Sequence, residues 1–191
     1  MKSLALLGLT TLLLLGSQCP ARDPEAATKA ALKFKPFFGE WAGRHKWENG
    51  SEGTVRLIVE PAFNGKFAKF TWSFTPSGYE NNNEFEAMQM FVGLSGDDQR
   101  LHSMAATYEG VEKGLVKVLG KTATFKNSTT HFTGMKERHV ATYVVNGNQL
   151  TFEQSAATRN RVPFRGTRKA LVRVTDDADS PEAKDDPGRQ N

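Results

Sequence analysis

The chain has 191 residues, 38% of them hydrophobic and 24% charged, and a formal net charge of +4. That is enough for one domain with a sizeable core. Cys19 is the only cysteine, which excludes an intramolecular disulfide and a Cys-based zinc site. The basic residues are spread out, so the charge points to ordinary solubility and not to nucleic acid.

Met1 and Lys2 give a short positive start, residues 4–15 are almost unbroken apolar sequence, and residues 16–21 are small and polar. That is the layout of a secretory signal. The apolar run is shorter than the ~20 residues a membrane-spanning helix needs, so no transmembrane span is expected after cleavage. Cleavage after Ala21 would give an exported chain, periplasmic or secreted, starting at Arg22 without any cysteine. The alternative is a lipoprotein anchored at Cys19, although Gln18 stands where a small residue is usual.

Residues 22–38 read as a helix and lead-in. Asp23-Pro24-Glu25 supplies an N-cap, a first-turn proline and an early acid. The Ala-rich stretch carries the helix to about residue 35, and Pro36 stops it. Leu32, Phe34, Phe37 and Phe38 are expected to dock this segment on the rest.

Residues 39–174 alternate with a period of two. The pattern predicts strands near 40–47, 53–61, 66–75, 84–93, 99–106, 113–119, 121–126, 130–134, 137–145, 148–156 and 165–174. Merging of the weak segments between 113 and 134 would make them ten. Asn49-Gly50, Asn64-Gly65, Pro76-Ser77-Gly78, Gly96-Asp97-Asp98 and Asn146-Gly147 mark turns. Strands at this spacing without intervening helices argue an all-β, antiparallel up-and-down barrel of about ten strands. Past residue 174 the sequence turns acidic and apolar-poor: six acids stand against Lys184 and Arg189. Residues 175–191 are expected to be a disordered tail.

Alternation also sorts the chemistry by face. Trp41, Gly43, His45 and Trp47 share one face, as do Phe70, Trp72 and Phe74. Met88, Met90 and Val92 share a third, continuous with Glu84 and Glu86. An eight- to ten-stranded barrel holds either packed side chains or one small ligand. Trp47, Trp72, Met88, Met90 and Tyr143 are the candidate lining residues of an apolar lumen, with His45 as polar anchor. No histidines stand at metal-binding spacing, and neither a Gly-x-Ser-x-Gly elbow nor a phosphate loop occurs. The Glu84/Glu86 pair is the one candidate for acid–base work. A single His, His45 or His102, could ligate haem from inside such a barrel. Asn49-Gly50-Ser51 and Asn127-Ser128-Thr129 match the glycosylation pattern.

Gly39-Glu40-Trp41-Ala42-Gly43, preceded by Phe37-Phe38, resembles the Gly-x-Trp-x-Gly opening of calycin-type barrels: lipocalins, fatty-acid-binding proteins and haem-binding nitrobindins. The stretch 32–168 more closely resembles a bacterial secreted family of unknown function with this barrel. It shares that opening, the Phe63-Asn64-Gly65-Lys66-Phe67 turn, and a hairpin with Arg138-His139-Val140 on one strand and Asn146-Gly147-Asn148-Gln149-Leu150-Thr151-Phe152-Glu153 across the turn. The resemblance implies that Trp41 closes one barrel end under a cation, Arg168 or Arg173. The expected function is an exported, non-catalytic barrel that binds a small apolar or amphipathic molecule in its lumen, with no cofactor. The alternatives are a haem-binding module using a single His, and a packed barrel serving as an envelope interaction protein.

Overall fold

The computed structural model describes residues 24–46, 50, 52–76, 84–96, 98–163 and 167–175. The expectations for the signal, Cys19, Trp47 and the acidic tail fall outside the described residues.

Helix α1 (Pro24–Leu32) starts at its proline, and Thr28 Oγ1 donates to the Pro24 carbonyl at 3.0 Å. It ends three residues earlier than expected, and a 3-10 turn, Lys35–Phe37, takes over. The shorter helix turns Phe34 and Phe37 fully inward, whereas Leu32 stays 54% exposed and does not dock.

The strands are β1 (Gly39–Lys46), β2 (Glu52–Ala62), β3 (Phe67–Pro76), β4 (Phe85–Leu94), β5 (Leu101–Thr107), β6 (Gly110–Leu119), β7 (Thr122–His131), β8 (Lys136–Asn146), β9 (Gln149–Arg159), β10 (Val162–Pro163) and β11 (Arg168–Arg173). Consecutive strands from β1 to β9 pair antiparallel, and β11 bridges β9 and β1. The result is a closed antiparallel barrel of ten strands, with the two-residue β10 pairing on β9 beside it. This architecture is compatible with a calycin-like fold. The expected segments 121–126 and 130–134 are one strand, β7, running through Asn127-Ser128-Thr129. Three polar residues in mid-strand look like a turn, but here two of them face inward.

One end of the barrel is packed solid. Phe70 on β3 lies 5.6 Å from Phe34, 5.8 Å from Phe125 and 5.5 Å from Tyr143, ring centre to ring centre. Leu57, Val59, Val92, Leu150 and Leu171 fill the space around these rings. Trp41 is wholly buried there; its indole N–H donates to the Phe37 carbonyl at 2.8 Å, tying the lead-in to β1. The Arg173 guanidinium lies 4.0 Å from the Trp41 ring centre and donates to the Phe38 and Pro36 carbonyls. Arg168, at the other end of β11, is exposed and stands opposite Glu153.

Both glycines of the Gly-x-Trp-x-Gly segment have steric reasons. Gly39 has φ +125°, and a Cβ there would sit 2.5 Å from the Arg173 guanidinium. A Cβ on Gly43 would come 2.5 Å from the Ala170 carbonyl oxygen. Gly39 therefore leaves room for the cation over Trp41, and Gly43 lets β11 reach β1 and close the ring.

Candidate functional site

The opposite end of the barrel is hollow. A cavity of about 340 Å³ opens there, at the end where β1, β3, β5 and β7 finish. Its walls differ. Trp72 and Phe74 of β3, Ala87 and Met88 of β4 and Phe152 of β9 make an apolar side. Glu112 of β6, Asn127, Thr129 and His131 of β7, and Glu137 and His139 of β8 make a polar side.

The polar side follows from strand phase. β7 turns Ala123, Phe125, Asn127, Thr129 and His131 inward, and β8 turns Glu137, His139, Ala141, Tyr143 and Val145 inward. Both strands are apolar near the plug and polar near the mouth. Asn127 faces His139 in register and Thr129 faces Glu137, so the two polar stretches lie side by side. Glu112 joins them from β6, opposite Thr129. Gly114 follows on the same face; a Cβ there would strike the Asn127 side chain and the Lys126 carbonyl. That glycine gives Asn127 its place in the lumen.

Carboxylates and imidazoles alternate along this wall. Glu109 Oε2 lies 3.3 Å from His131 Nδ1, and His131 Nε2 lies 3.5 Å from Glu137 Oε2. Glu137 Oε1 is 3.5 Å from His139 Nδ1, and His139 Nε2 is 3.5 Å from Glu112 Oε2. The row runs from half-exposed Glu109 at the mouth to buried Glu112. Glu112 is well held: Asn127 Nδ2 donates to it at 2.6 Å and Thr129 Oγ1 at 2.9 Å. Glu137 receives longer bonds, from Gln154 at 3.3 Å and Arg159 at 3.4 Å. His131 Nε2 and His139 Nδ1 are buried without a hydrogen-bond partner. Unpaired buried polar atoms are uncommon in folded proteins and each costs about 1–3 kcal/mol.

Burial sets most of the proton affinities. It pushes the Glu112 carboxyl up, against the opposing pull of His139 and Thr129. For Glu137 burial also works upward, but the His139 imidazole and Arg159 outweigh it and its carboxyl sits below the usual range. Burial lowers the Lys169 ammonium to about 8, and its Nζ lies 5.4 Å from the Phe74 ring centre. Burial and the Lys169 charge lower His45 at the mouth. Tyr143 is held protonated far beyond the ordinary phenol range by complete burial. Trp72 Nε1–H donates to its oxygen at 3.1 Å, where the apolar wall meets the plug.

Of the sequence-predicted residues, Trp72, Met88, Tyr143 and His45 line the cavity. Met90 packs into the solid core instead, 1% exposed. His102 is on the outer face, its Nε2 3.0 Å from Asp98. Glu84 and Glu86 also face outward, because β4 bulges: Trp72 pairs with Met88 but Ser73 pairs with Glu86. The extra residue reverses the phase of everything before Ala87. Glu84 then accepts from Ser73 and pairs with Arg56 at 3.4 Å, and Glu86 accepts from Gln89 at 2.9 Å. Asn127, within a glycosylation pattern, is 6% exposed and points inside.

Sequence reasoning did not place Glu112, Asn127, Thr129, His131, Glu137 or His139 in a site. The signal was present: Asn127, Thr129 and His131 continue the phase of Phe125. Splitting β7 in two hid it.

Among the described residues, no three His, Cys, Asp or Glu side chains converge on a point that could hold a metal ion. Comparison with protein-family models, with curated proteins and with solved structures finds no match.

Proposed function

We propose that this is an exported, non-catalytic barrel of calycin type that binds a small amphipathic molecule in its lumen. The observation that carries the reading is the two-sided cavity of about 340 Å³, with aromatic rings on one wall and unpartnered imidazole nitrogens on the other. Small-molecule sites are typically cavities of about 300–1,000 Å³, largely apolar with a few fixed polar groups. The ligand's apolar body would lie against Trp72, Met88 and Phe152, and its polar end would reach His131 and His139. The exported location rests on residues 1–21, and the calycin kinship on Gly39-Glu40-Trp41-Ala42-Gly43 and the closed barrel.

The haem alternative draws less support. Of its two candidate ligands, His102 lies on the outer face, 3.0 Å from Asp98, and His45 stands at the mouth within reach of the Lys169 charge.

Native mass spectrometry and an absorption spectrum on protein taken from its own exported fraction test the reading. A bound mass that Trp72→Ala loses supports it. A bare polypeptide, unchanged after incubation with lipid extract and haemin, overturns it and leaves an envelope interaction protein that does not use its lumen.

A further inference from the structure

The polar wall also specifies the head group of such a ligand. This inference rests on the lumen-binding reading above. Three carboxylates, Glu109, Glu112 and Glu137, line the cavity against one lysine, Lys169. Among the described residues, Arg159 also approaches Glu137, with a side chain 51% exposed.

His131 and His139 are 7% and 9% exposed and line the same cavity. Each presents an unpartnered nitrogen 3.5 Å from an oxygen of Glu137. That separation is too wide for a good hydrogen bond between them. It suits a third group: with an ammonium between them, the imidazole nitrogens facing Glu137 take the unprotonated tautomer, and separate N–H donors can sit about 2.8–2.9 Å from such a nitrogen and from the carboxylate oxygen. An ammonium carries three such donors. A carboxylate or phosphate head would instead meet three like charges in a partly desolvated site.

The facing wall has Trp72, Tyr143 and Phe152 within 5.0–6.3 Å of one another, ring centre to ring centre. Such faces accept an apolar body and attract a nearby cation. We infer that the lumen takes a small organic amine, its ammonium held between Glu137 and the two imidazoles and its alkyl or aryl body on the aromatic wall.

Isothermal titration calorimetry at pH 7.5 with three probes of one body tests this: 3-phenylpropylamine, 3-phenylpropanol and 3-phenylpropionate. The amine is expected to bind at least tenfold tighter than the alcohol, and the propionate weakest. Glu137→Gln should erase the gap between amine and alcohol, and Trp72→Ala should weaken both together. If Glu137→Gln does not fold, Glu112→Gln removes the neighbouring charge and should narrow the same gap. Equal binding of all three probes, or preference for the propionate, overturns the amine inference and leaves lumen binding standing. No binding of any probe, with no lumenal binding of an uncharged naphthalene dye, removes both.

Discussion

Phe125 and His131 stand on the same strand and the same inner face, yet they belong to two different environments. Around Phe125, rings and branched chains fill the barrel, and Trp41 with Arg173 seals the end. Around His131, carboxylates and imidazoles line an open space. The backbone is continuous through both halves, and the hydrogen-bonded ladder of β7 with β8 spans them. The ladder alone therefore does not fill the barrel; side-chain volume and polarity decide which end is solid. The plug is where folding free energy concentrates, and the hollow end carries groups that cost stability.

Substitution should separate the two halves. Phe125→Ala is expected to cost about 3–5 kcal/mol, because a buried ring leaves a cavity among neighbours that cannot collapse. Urea unfolding followed by tryptophan fluorescence measures it. A loss below about 1 kcal/mol would mean that the plug is not the stabilising half. Gly43→Ala should follow, at about 1–3 kcal/mol, because its Cβ meets the Ala170 backbone. The loss should come with faster hydrogen exchange along the β1–β11 seam, and unchanged exchange there would break the steric account.

Arg173→Ala should cost about 0.5–2 kcal/mol from the stacked cation, and more as the Phe38 and Pro36 carbonyls lose their donor. A red-shifted Trp41 emission would report the opened end, and an unchanged spectrum would break this account of the seal.

The smallest effect has the opposite sign and sharpens the contrast most. A carboxyl whose folded pKa lies above its unfolded one opposes folding at higher pH. Stability is gained as pH falls through the folded pKa, and the gain is complete below the unfolded value. Glu112 is such a group. Glu112→Gln should raise the melting temperature at pH 7 by a few degrees, and the difference from wild type should vanish in acid. Glu137 runs the other way: its depressed pKa lends stability above the unfolded value, lost as pH falls through the folded one. Glu137→Gln should therefore lower the melting temperature at pH 7 and converge with wild type at low pH. Identical pH profiles for the two variants would contradict the opposite environments of the two carboxyls.

The contrast also marks what alternation alone could reveal. The strands from β1 to β4 and from β8 to β9 were legible, because apolar residues at every second position and Asn-Gly turns are local signals. The burial of Trp41 at one end was implied by the resemblance of its Gly-x-Trp-x-Gly segment and not by alternation. Trp72 and Met88 line the cavity on the faces that alternation gives them, and Tyr143 lines it from β8. Met90 shares that phase but lies deeper, and depth along the barrel axis leaves no mark on one strand. Glu84 and Glu86 were assigned to the wrong face, since a single bulged residue in β4 reverses the phase and nothing in the local pattern announces it. His131 and His139 are separated by a hairpin and read as unrelated; cross-strand register brings them to one wall.

By itself, then, the sequence determined an all-β chain of about ten antiparallel strands, with a helix before them and a tryptophan at the first. Those features follow from side-chain periodicity and turn chemistry, which act over a few residues. The tertiary structure alone decided the register in which β11 joins β1 and β9 and how deep the packed end reaches. It also decided that Glu112, Glu137, His131 and His139 face a common cavity. Ring closure, depth and convergence depend on register between strands far apart in the chain, and register is settled by how the whole set of inner side chains packs.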